Sequence, residues 1–205
     1  MKQLGLLFVL TFVTQSVFAQ LSDNDYRIET TTNNSSNLSP SQTSVNYYEK
    51  PKTFYENGYT YQCDVDDAQL VTLYSKPSSL VYVDPVYKAT GRLYNGEVKL
   101  FAEETWTKPL CYSIVRNAFP TAAKQRVRGV NFSIVMCINS DTGKVMEVYF
   151  QFTNYSPYTT IPVSVYRKIE TEIKQKVWFT PTAEGAKLNY IMLAWRQNPE
   201  DVLHD

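Results

Sequence analysis

The stretch from Arg128 to Phe152, RGVNFSIVMCINSDTGKVMEVYFQF, predicts a β-hairpin. Apolar and polar side chains alternate on both sides of a turn, which is the pattern of strands with one buried face. Gly143 suits the left-handed position of a bulged hairpin turn. The apolar face needs cover from other elements, and it comprises Val130, Phe132, Ile134, Met136 and Ile138, then Met146, Val148, Phe150 and Phe152.

Elements that could supply this cover precede and follow the hairpin. LCYSIVRNAF, residues 110–119, has apolar residues at helical spacing, with Pro109 in its first turn and Pro120 at its end. VSVYRKIETEIKQKVWF predicts an amphipathic helix over Val163–Lys176, and KLNYIMLAWR predicts a final strand. This order predicts an α+β fold, a three-stranded antiparallel sheet with two helices on one face.

A segment rich in β-forming residues, 47–104, precedes this domain, which we assign to residues 105–198. FYENGYTYQC and AQLVTLY predict short strands, with a turn between them at Asp66-Asp67. Asn95-Gly96 predicts a further hairpin, because this dipeptide accepts the positive φ angles of a type I′ turn.

The first 46 residues have a different composition. MKQLGLLFVLTFVTQSVFAQ has one early positive charge, a short apolar run, and the small residues Val17 and Ala19. These features predict a signal peptide over residues 1–19. An uncleaved membrane anchor is the alternative, although the apolar run is short for a core of roughly 30 Å. The Ser/Thr/Asn-rich residues 20–46 predict a disordered leader, and residues 199–205 a flexible tail.

The charge balance excludes some classes of partner. The chain of 205 residues carries 20 basic and 20 acidic side chains. Because no basic stripe is visible, nucleic-acid binding has no electrostatic support. No later apolar run is long enough to span a bilayer, so we expect no stable membrane span once the signal is cleaved.

Three cysteines, Cys63, Cys111 and Cys137, are spaced unlike the ligands of a zinc site. Export permits disulfides, but an odd number leaves at least one thiol unpaired or paired with another chain. Two interpretations remain open: small buried apolar residues, or one Cys63–Cys111 bridge.

Residues that could carry catalysis are scarce. The single histidine, His204, lies next to the C-terminus, so a nucleophile activated by imidazole is not expected. The acidic run at 64–67 lacks the turn glycine and the distal glutamate of a calcium loop. Glu103 and Glu104 have no identifiable second carboxylate across a cleft. We therefore expect a protein that is not an enzyme and that holds no metal or cofactor.

Between residues 106 and 196 the order of the elements and a set of turn residues resemble the carboxyl-terminal domain of the energy transducer TonB. The likeness rests on an aromatic-proline pair followed by alanines and a glycine, on a hairpin turn, and on an aromatic-x-x-proline then glycine before the last strand. The residues that match are Phe119, Pro120, Ala122, Ala123 and Gly129, then Asp141 and Gly143, then Trp178, Pro181 and Gly185.

This resemblance implies a way of binding. TonB-like domains recruit a peptide of a receptor at the edge of the sheet, which here would be the last strand, Lys187 to Arg196. The alternative is an edge blocked by the leader or by the N-terminal segment. The side chains assigned to this edge are Lys187, Asn189, Ile191, Leu193 and Trp195.

The chain departs from TonB in having a cleavable-looking signal and only a short leader, which puts force transmission in doubt. The arrangement resembles small exported proteins of uncharacterised function that are common in Bacteroides-type gut bacteria. We expect a non-catalytic module in the periplasm, at the outer membrane or outside the cell, with a protein or peptide of the envelope as its partner. The alternative is a carbohydrate-binding accessory protein that uses some of its 16 tyrosines and three tryptophans.

Overall fold

A computed structural model describes residues 45–96 and 98–200, which belong to one compact unit. The predicted signal peptide, almost all of the predicted leader, and the last five residues with His204 lie outside these ranges. Every helix within them lacks the length or the apolarity that a bilayer crossing requires.

The strands form a single antiparallel sheet in the order β1-β2-β3-β5-β4-β6. The prediction of a three-stranded sheet with two helices is therefore wrong, because the sheet has six strands and the described residues contain three α-helices. The strands are β1 (Lys52–Glu56), β2 (Tyr59–Val65), β3 (Leu70–Ser75), β4 (Phe132–Ile138), β5 (Val145–Thr153) and β6 (Ile191–Gln197).

The pairing of β3 with β5 joins the two groups of strands into one sheet. Its register runs from Leu70 opposite Thr153 to Tyr74 opposite Tyr149. This contact joins distant parts of the chain, and no local pattern specifies such a pairing. The β-rich segment therefore extends the sheet of the C-terminal half rather than merely preceding it.

The helices are α1 (Thr107–Ala118), α2 (Thr121–Val127) and α3 (Val163–Lys176). The predictions of α1 and α3 are confirmed, and α3 has the predicted bounds. The sequence interpretation missed α2 because Pro120 was treated only as a stop, whereas it caps a new seven-residue helix. Short 3₁₀ helices span Pro157–Thr160 and Gly185–Lys187.

The hairpin of β4 and β5 has the predicted turn, with Gly143 at φ +71°. A bulge at Cys137/Ile138 changes the register, so that Ile138 lies opposite Val145. Met146, predicted on the helix-covered face, packs in a second cluster on the other face. The rest of the predicted apolar face contributes to the main core.

In the N-terminal segment, the strands around the Asp66-Asp67 turn are confirmed. The hairpin predicted at Asn95-Gly96 is wrong, since no strand flanks it in the part of the chain that the structure describes. The chain folds back instead between Val86 and Leu93, which form an isolated bridge. The type I′ turn of this half lies at Asn57-Gly58, where φ is +44° and +77°.

Buried tyrosines connect the first three strands to α3. Tyr48 and Tyr166 are both fully buried, and their ring centroids lie 6.0 Å apart. The Tyr48 hydroxyl donates to the Ile161 carbonyl at 2.8 Å. The Tyr61 hydroxyl, also buried, donates to the Glu170 carboxylate on α3. We call Tyr48, Tyr61, Tyr166 and Glu170 the tyrosine seam.

The two faces of the sheet are covered differently. All three helices pack on one face and form the main core with β4 and β5. On the other face a smaller cluster joins Val135, Cys137 and Tyr149 to Val81 and Tyr190. A row of polar residues crosses five strands of this second face, and it consists of Asp64, Thr72, Gln151, Ser133 and Arg196.

Candidate functional site

Among the described residues, β6 is the outermost strand on one side of the sheet and pairs with β4 alone. Every second residue of such a strand directs its N–H and C=O away from the sheet. Of the residues assigned to the edge, Ile191, Leu193 and Trp195 lie in β6, and their side chains pack against the main core. Their contribution to binding would thus come from the backbone.

The other two predicted edge residues, Lys187 and Asn189, lie before β6 and are already paired. The Lys187 carbonyl accepts from the Lys88 N–H at 2.8 Å. The Asn189 N–H donates to the Val86 carbonyl, and its side-chain oxygen accepts from the Val86 N–H, both at 2.9 Å. The N-terminal segment thus blocks the start of the predicted edge, whereas no other part of the described chain pairs with the outer side of Ile191–Gln197.

A groove of about 270 Å³ lies beside the end of β6. Four consecutive strand residues, 194–197, line it together with Lys108 and Tyr112 of α1. Because consecutive residues point to opposite faces of a strand, a groove lined by all four follows the strand's edge. We call this space the β6 groove.

Gln197 has an unusual place in the β6 groove. Its side chain is 1% exposed, and its Oε1 atom has no hydrogen-bond partner among the described residues. Buried acceptors almost always have a protein or water partner, so this oxygen keeps an acceptor site that the described residues do not fill, as do the hydroxyls of Ser140 and Ser156. Lys108 and Arg196 also line the groove, and none of the described residues that line it carries a carboxylate.

The opposite edge of the sheet, β1, is better protected. It has five residues, Pro51 precedes it, and the charged residues Lys52 and Glu56 at its ends are exposed. Shortness, proline and charge are the devices by which proteins prevent edge pairing. The seven residues of β6, IMLAWRQ, carry their only charge at Arg196.

The glycines of the TonB-like motif serve backbone packing. A Cβ on Gly143 would lie 1.7 Å from the Phe179 carbonyl oxygen, and one on Gly185 would lie 2.3 Å from that of Leu100. Gly129 has φ +73° with open space around it. None of the three contributes to the β6 groove.

The other motif residues are distributed over separate places. Phe119 is buried in the main core, and Pro120 caps α2. Asp141 forms an exposed ion pair with Lys88, and Pro181 bridges to Phe101. Trp178 is 53% exposed, and its ring centroid lies 4.3 Å from that of Trp106.

The three cysteines are free and buried, so the structure contains no Cys63–Cys111 bridge. Burial is the main cause that raises the pKa of each thiol to about 12. The thiols therefore stay protonated at neutral pH, and a thiol is a poor nucleophile compared with a thiolate.

The carboxylates that the sequence singled out have local partners. Glu104 accepts from the N–H groups of Trp106 and Thr107 at the start of α1, and Glu103 pairs with Lys99. Asp66 accepts from the Leu70 N–H in its turn. No group of three potential metal ligands occurs within the described ranges.

Asp64 holds an exposed tyrosine that the sequence interpretation did not find. Its carboxylate accepts from the hydroxyls of Tyr74 at 2.8 Å and Tyr82 at 3.1 Å, and from the Gln62 amide. Tyr82 is 67% exposed and has φ +66°. A positive φ is rare for an aromatic residue, and no pattern in the sequence predicts it here.

Comparisons with known proteins identify one family. The family model DUF5043, described as a domain of unknown function, matches residues 43–195. This chain is also similar to the crystal structure of a DUF5043 family protein from Bacteroides uniformis ATCC 8492. The match covers 77% of this chain and 90% of the crystallised chain. The identity is 42% and the TM-score 0.74. The comparison with curated proteins gives no match.

These matches do not confirm the resemblance to the TonB domain. The family model covers strands of both halves of the sheet, in agreement with the single compact unit. The chain therefore belongs to the DUF5043 family, whose function is unknown.

Proposed function

We propose that the protein is an exported, non-catalytic interaction module that binds an extended peptide of an envelope protein along the β6 groove. The observation that carries the proposal is the buried, unpartnered Oε1 of Gln197 beside an unpaired strand edge. A peptide in extended conformation brings backbone N–H groups, which both the strand edge and this oxygen can accept.

The lining of the groove favours an acidic peptide. Lys108 and Arg196 are exposed cations, and the Lys108 ammonium lies 5.9 Å from the Tyr112 ring centroid. A carboxylate between these cations would form charge-assisted hydrogen bonds. We therefore expect the bound segment to carry Asp or Glu near its contact with residues 194–197.

Amide hydrogen exchange tests the placement of the peptide. Peptides would be selected on the full chain from a displayed random library, and exchange would be measured with and without each peptide. We expect new protection at alternate residues of Ile191–Gln197, since only alternate N–H groups point outward. Protection confined to β1, or to neither edge, would overturn the proposal.

Gln197→Met separates a binding role from a structural one. Removing a buried acceptor that has no partner leaves stability unchanged or raises it. Peptide affinity should fall about tenfold, because a hydrogen bond to the ligand is lost. Gln151→Met, on the polar row of the other face, is the matched control and should leave peptide affinity unchanged. Equal affinity of Gln197→Met and the unaltered chain would contradict the role given to Gln197.

Export is the part of the proposal that rests on the predicted signal peptide. N-terminal sequencing of the protein from its host should find Gln20 as the first residue. A retained Met1 together with fractionation in the inner membrane would instead support the anchored alternative.

Carbohydrate binding is the second candidate, and Tyr82 is the observation that favours it. An exposed ring held in place by Asp64 offers a face on which a sugar could stack, beside the polar row of the same sheet face. A glycan array would show binding that Tyr82→Ser abolishes. Tyr155→Ser is the control because Tyr155 is 81% exposed and lies elsewhere. An array without any binding would leave only the peptide proposal.

A further inference from the structure

A second groove, of about 620 Å³, lies between α3 and the ends of β2 and β3. Its volume falls within the range of pockets that hold small organic ligands. The aromatic and charged side chains that line it are Tyr59, Lys76, Arg167, Glu170 and Lys174. We call it the α3 groove, and none of its residues lines the β6 groove.

Glu170 is the anchor of the α3 groove. Its side chain is 1% exposed, and its carboxylate accepts from the Tyr61 hydroxyl. Arg167 lies 3.3 Å and Lys174 3.5 Å from its two oxygens. The Arg167 guanidinium is also 5.3 Å from the Tyr59 ring centroid. A buried carboxylate and an aromatic face thus hold the cations in place before any ligand arrives.

The charges of the α3 groove do not balance. One carboxylate, Glu170, faces the two cations Arg167 and Lys174, and Lys76 adds a third. Lys76 has no ion-pair partner in the part of the chain that the structure describes. With three cations and one carboxylate, the lining has a net formal charge of +2. A cleft with an excess of one sign of charge concentrates ligands of the opposite sign.

We propose that the α3 groove binds the oxyanion of a small ligand, held by Lys76, Arg167 and Lys174. Glu170 is not available to this ligand, because it is buried and both of its oxygens are engaged. Arg167 uses one terminal nitrogen for Glu170 and is 38% exposed, so its other donors can bind the ligand. A carboxylate of an acidic sugar and a phosphate ester share the required chemistry.

The test is to titrate small probes into the full chain at low ionic strength and to monitor binding by two-dimensional NMR. The probes are glucuronate for the acidic sugar, glycerol 3-phosphate for the phosphate ester, and glucose as the neutral control. We expect saturable shifts at residues 58–60, 75–77 and 167–174 with at least one acidic probe and none with glucose. The probe that binds identifies the source of the oxyanion.

Lys76→Gln is the decisive variant. Because the Lys76 ammonium has no partner in the described chain, its loss should leave the denaturation midpoint unchanged while affinity falls about tenfold. Lys144→Gln makes the same charge change at an exposed lysine that lines neither groove, and it should leave probe affinity unaltered. Absence of saturable binding by both acidic probes would overturn this proposal, as would equal affinities of Lys76→Gln and Lys144→Gln. Neither result would affect the peptide proposal, which depends on other residues.

Discussion

The first three strands and the last three strands build their halves of the sheet differently. β1, β2 and β3 follow one another as a meander, so each strand pairs with its neighbour in sequence. In the second half β4 lies between β5 and β6, and α3 intervenes before the last strand. Local hairpin signals suffice for the meander, whereas the second half depends on contacts made through α3 and the core. Within the sheet the β3–β5 pairing joins the halves, and the tyrosine seam connects the N-terminal segment to α3.

The largest effect should come from separating the halves. A fragment of residues 105–205 would expose the open side of β5 and the surface of α3 that Tyr48 and Tyr61 cover. We expect it to lack cooperative unfolding in urea, monitored by circular dichroism, because the lost core exceeds the marginal stability of a small domain. A fragment of residues 42–205, which contains the whole compact unit, should unfold cooperatively. Cooperative unfolding of the shorter fragment would show that the second half is independent.

The second-largest effect should come from alkaline pH, which lowers the stability that the tyrosine seam contributes. Burial is the main cause that raises the pKa of Tyr48, Tyr61 and Tyr166 above the usual 10.0. The folded state then keeps protons that the unfolded chain releases, so the contribution of these phenols to stability is full below about pH 10 and falls as pH rises further. One pH unit above this point, each of the three phenols lowers the free energy of unfolding by about 1.4 kcal/mol. Together they lower it by about 4 kcal/mol.

The pH effect is measured by urea denaturation at about pH 8 and about pH 11. Tyr61→Phe should reduce the loss at about pH 11 by about 1.4 kcal/mol, since this phenol no longer titrates. A stability that stays constant across this range would contradict the burial of the seam.

Within the second half, Gly143→Ala should be the most damaging small substitution. The new Cβ would collide with the Phe179 carbonyl oxygen, which cannot move without displacing its chain, at a position with φ +71°. We expect a loss of at least about 3 kcal/mol in the free energy of unfolding. Gly129→Ala has φ +73° but open space, so it should cost only about 1 kcal/mol. Equal losses would mean that backbone conformation, and not close approach, requires Gly143.

The smallest effect concerns the ion pairs of the seam. Glu170→Gln keeps an acceptor for Tyr61 but leaves Arg167 and Lys174 without their carboxylate. Because both cations are more than a third exposed, water screens them, and we expect a loss of about 2 kcal/mol rather than the full penalty of a broken buried pair. Glu172→Gln, which leaves only the exposed Lys176 unpaired, should change stability by less than about 0.5 kcal/mol. Thermal denaturation of the two variants side by side measures the difference.

The candidate sites were predictable to different degrees. The stretch KLNYIMLAWR, apolar on both faces near its centre, predicts a strand, and the strand lies at the edge of the described sheet, although it begins at Ile191 and not at Lys187. The unpartnered oxygen of Gln197 and the cation excess around Glu170 depend on which helices lie beside each strand. No spacing in the sequence contains that information.

Elements that depend on near neighbours in sequence were determined by the sequence itself. These are the hairpin turn at Gly143, the helical period of α3 and the alternation along β4. Their signals act within one turn of helix or two residues of strand, where backbone sterics and amphipathic burial operate. The joining of β3 to β5, the positive φ of Tyr82 and the burial of Glu170 were decided only by the tertiary structure. Each of these depends on partners far away in the chain, whose approach is governed by the burial of the whole core and not by local preference.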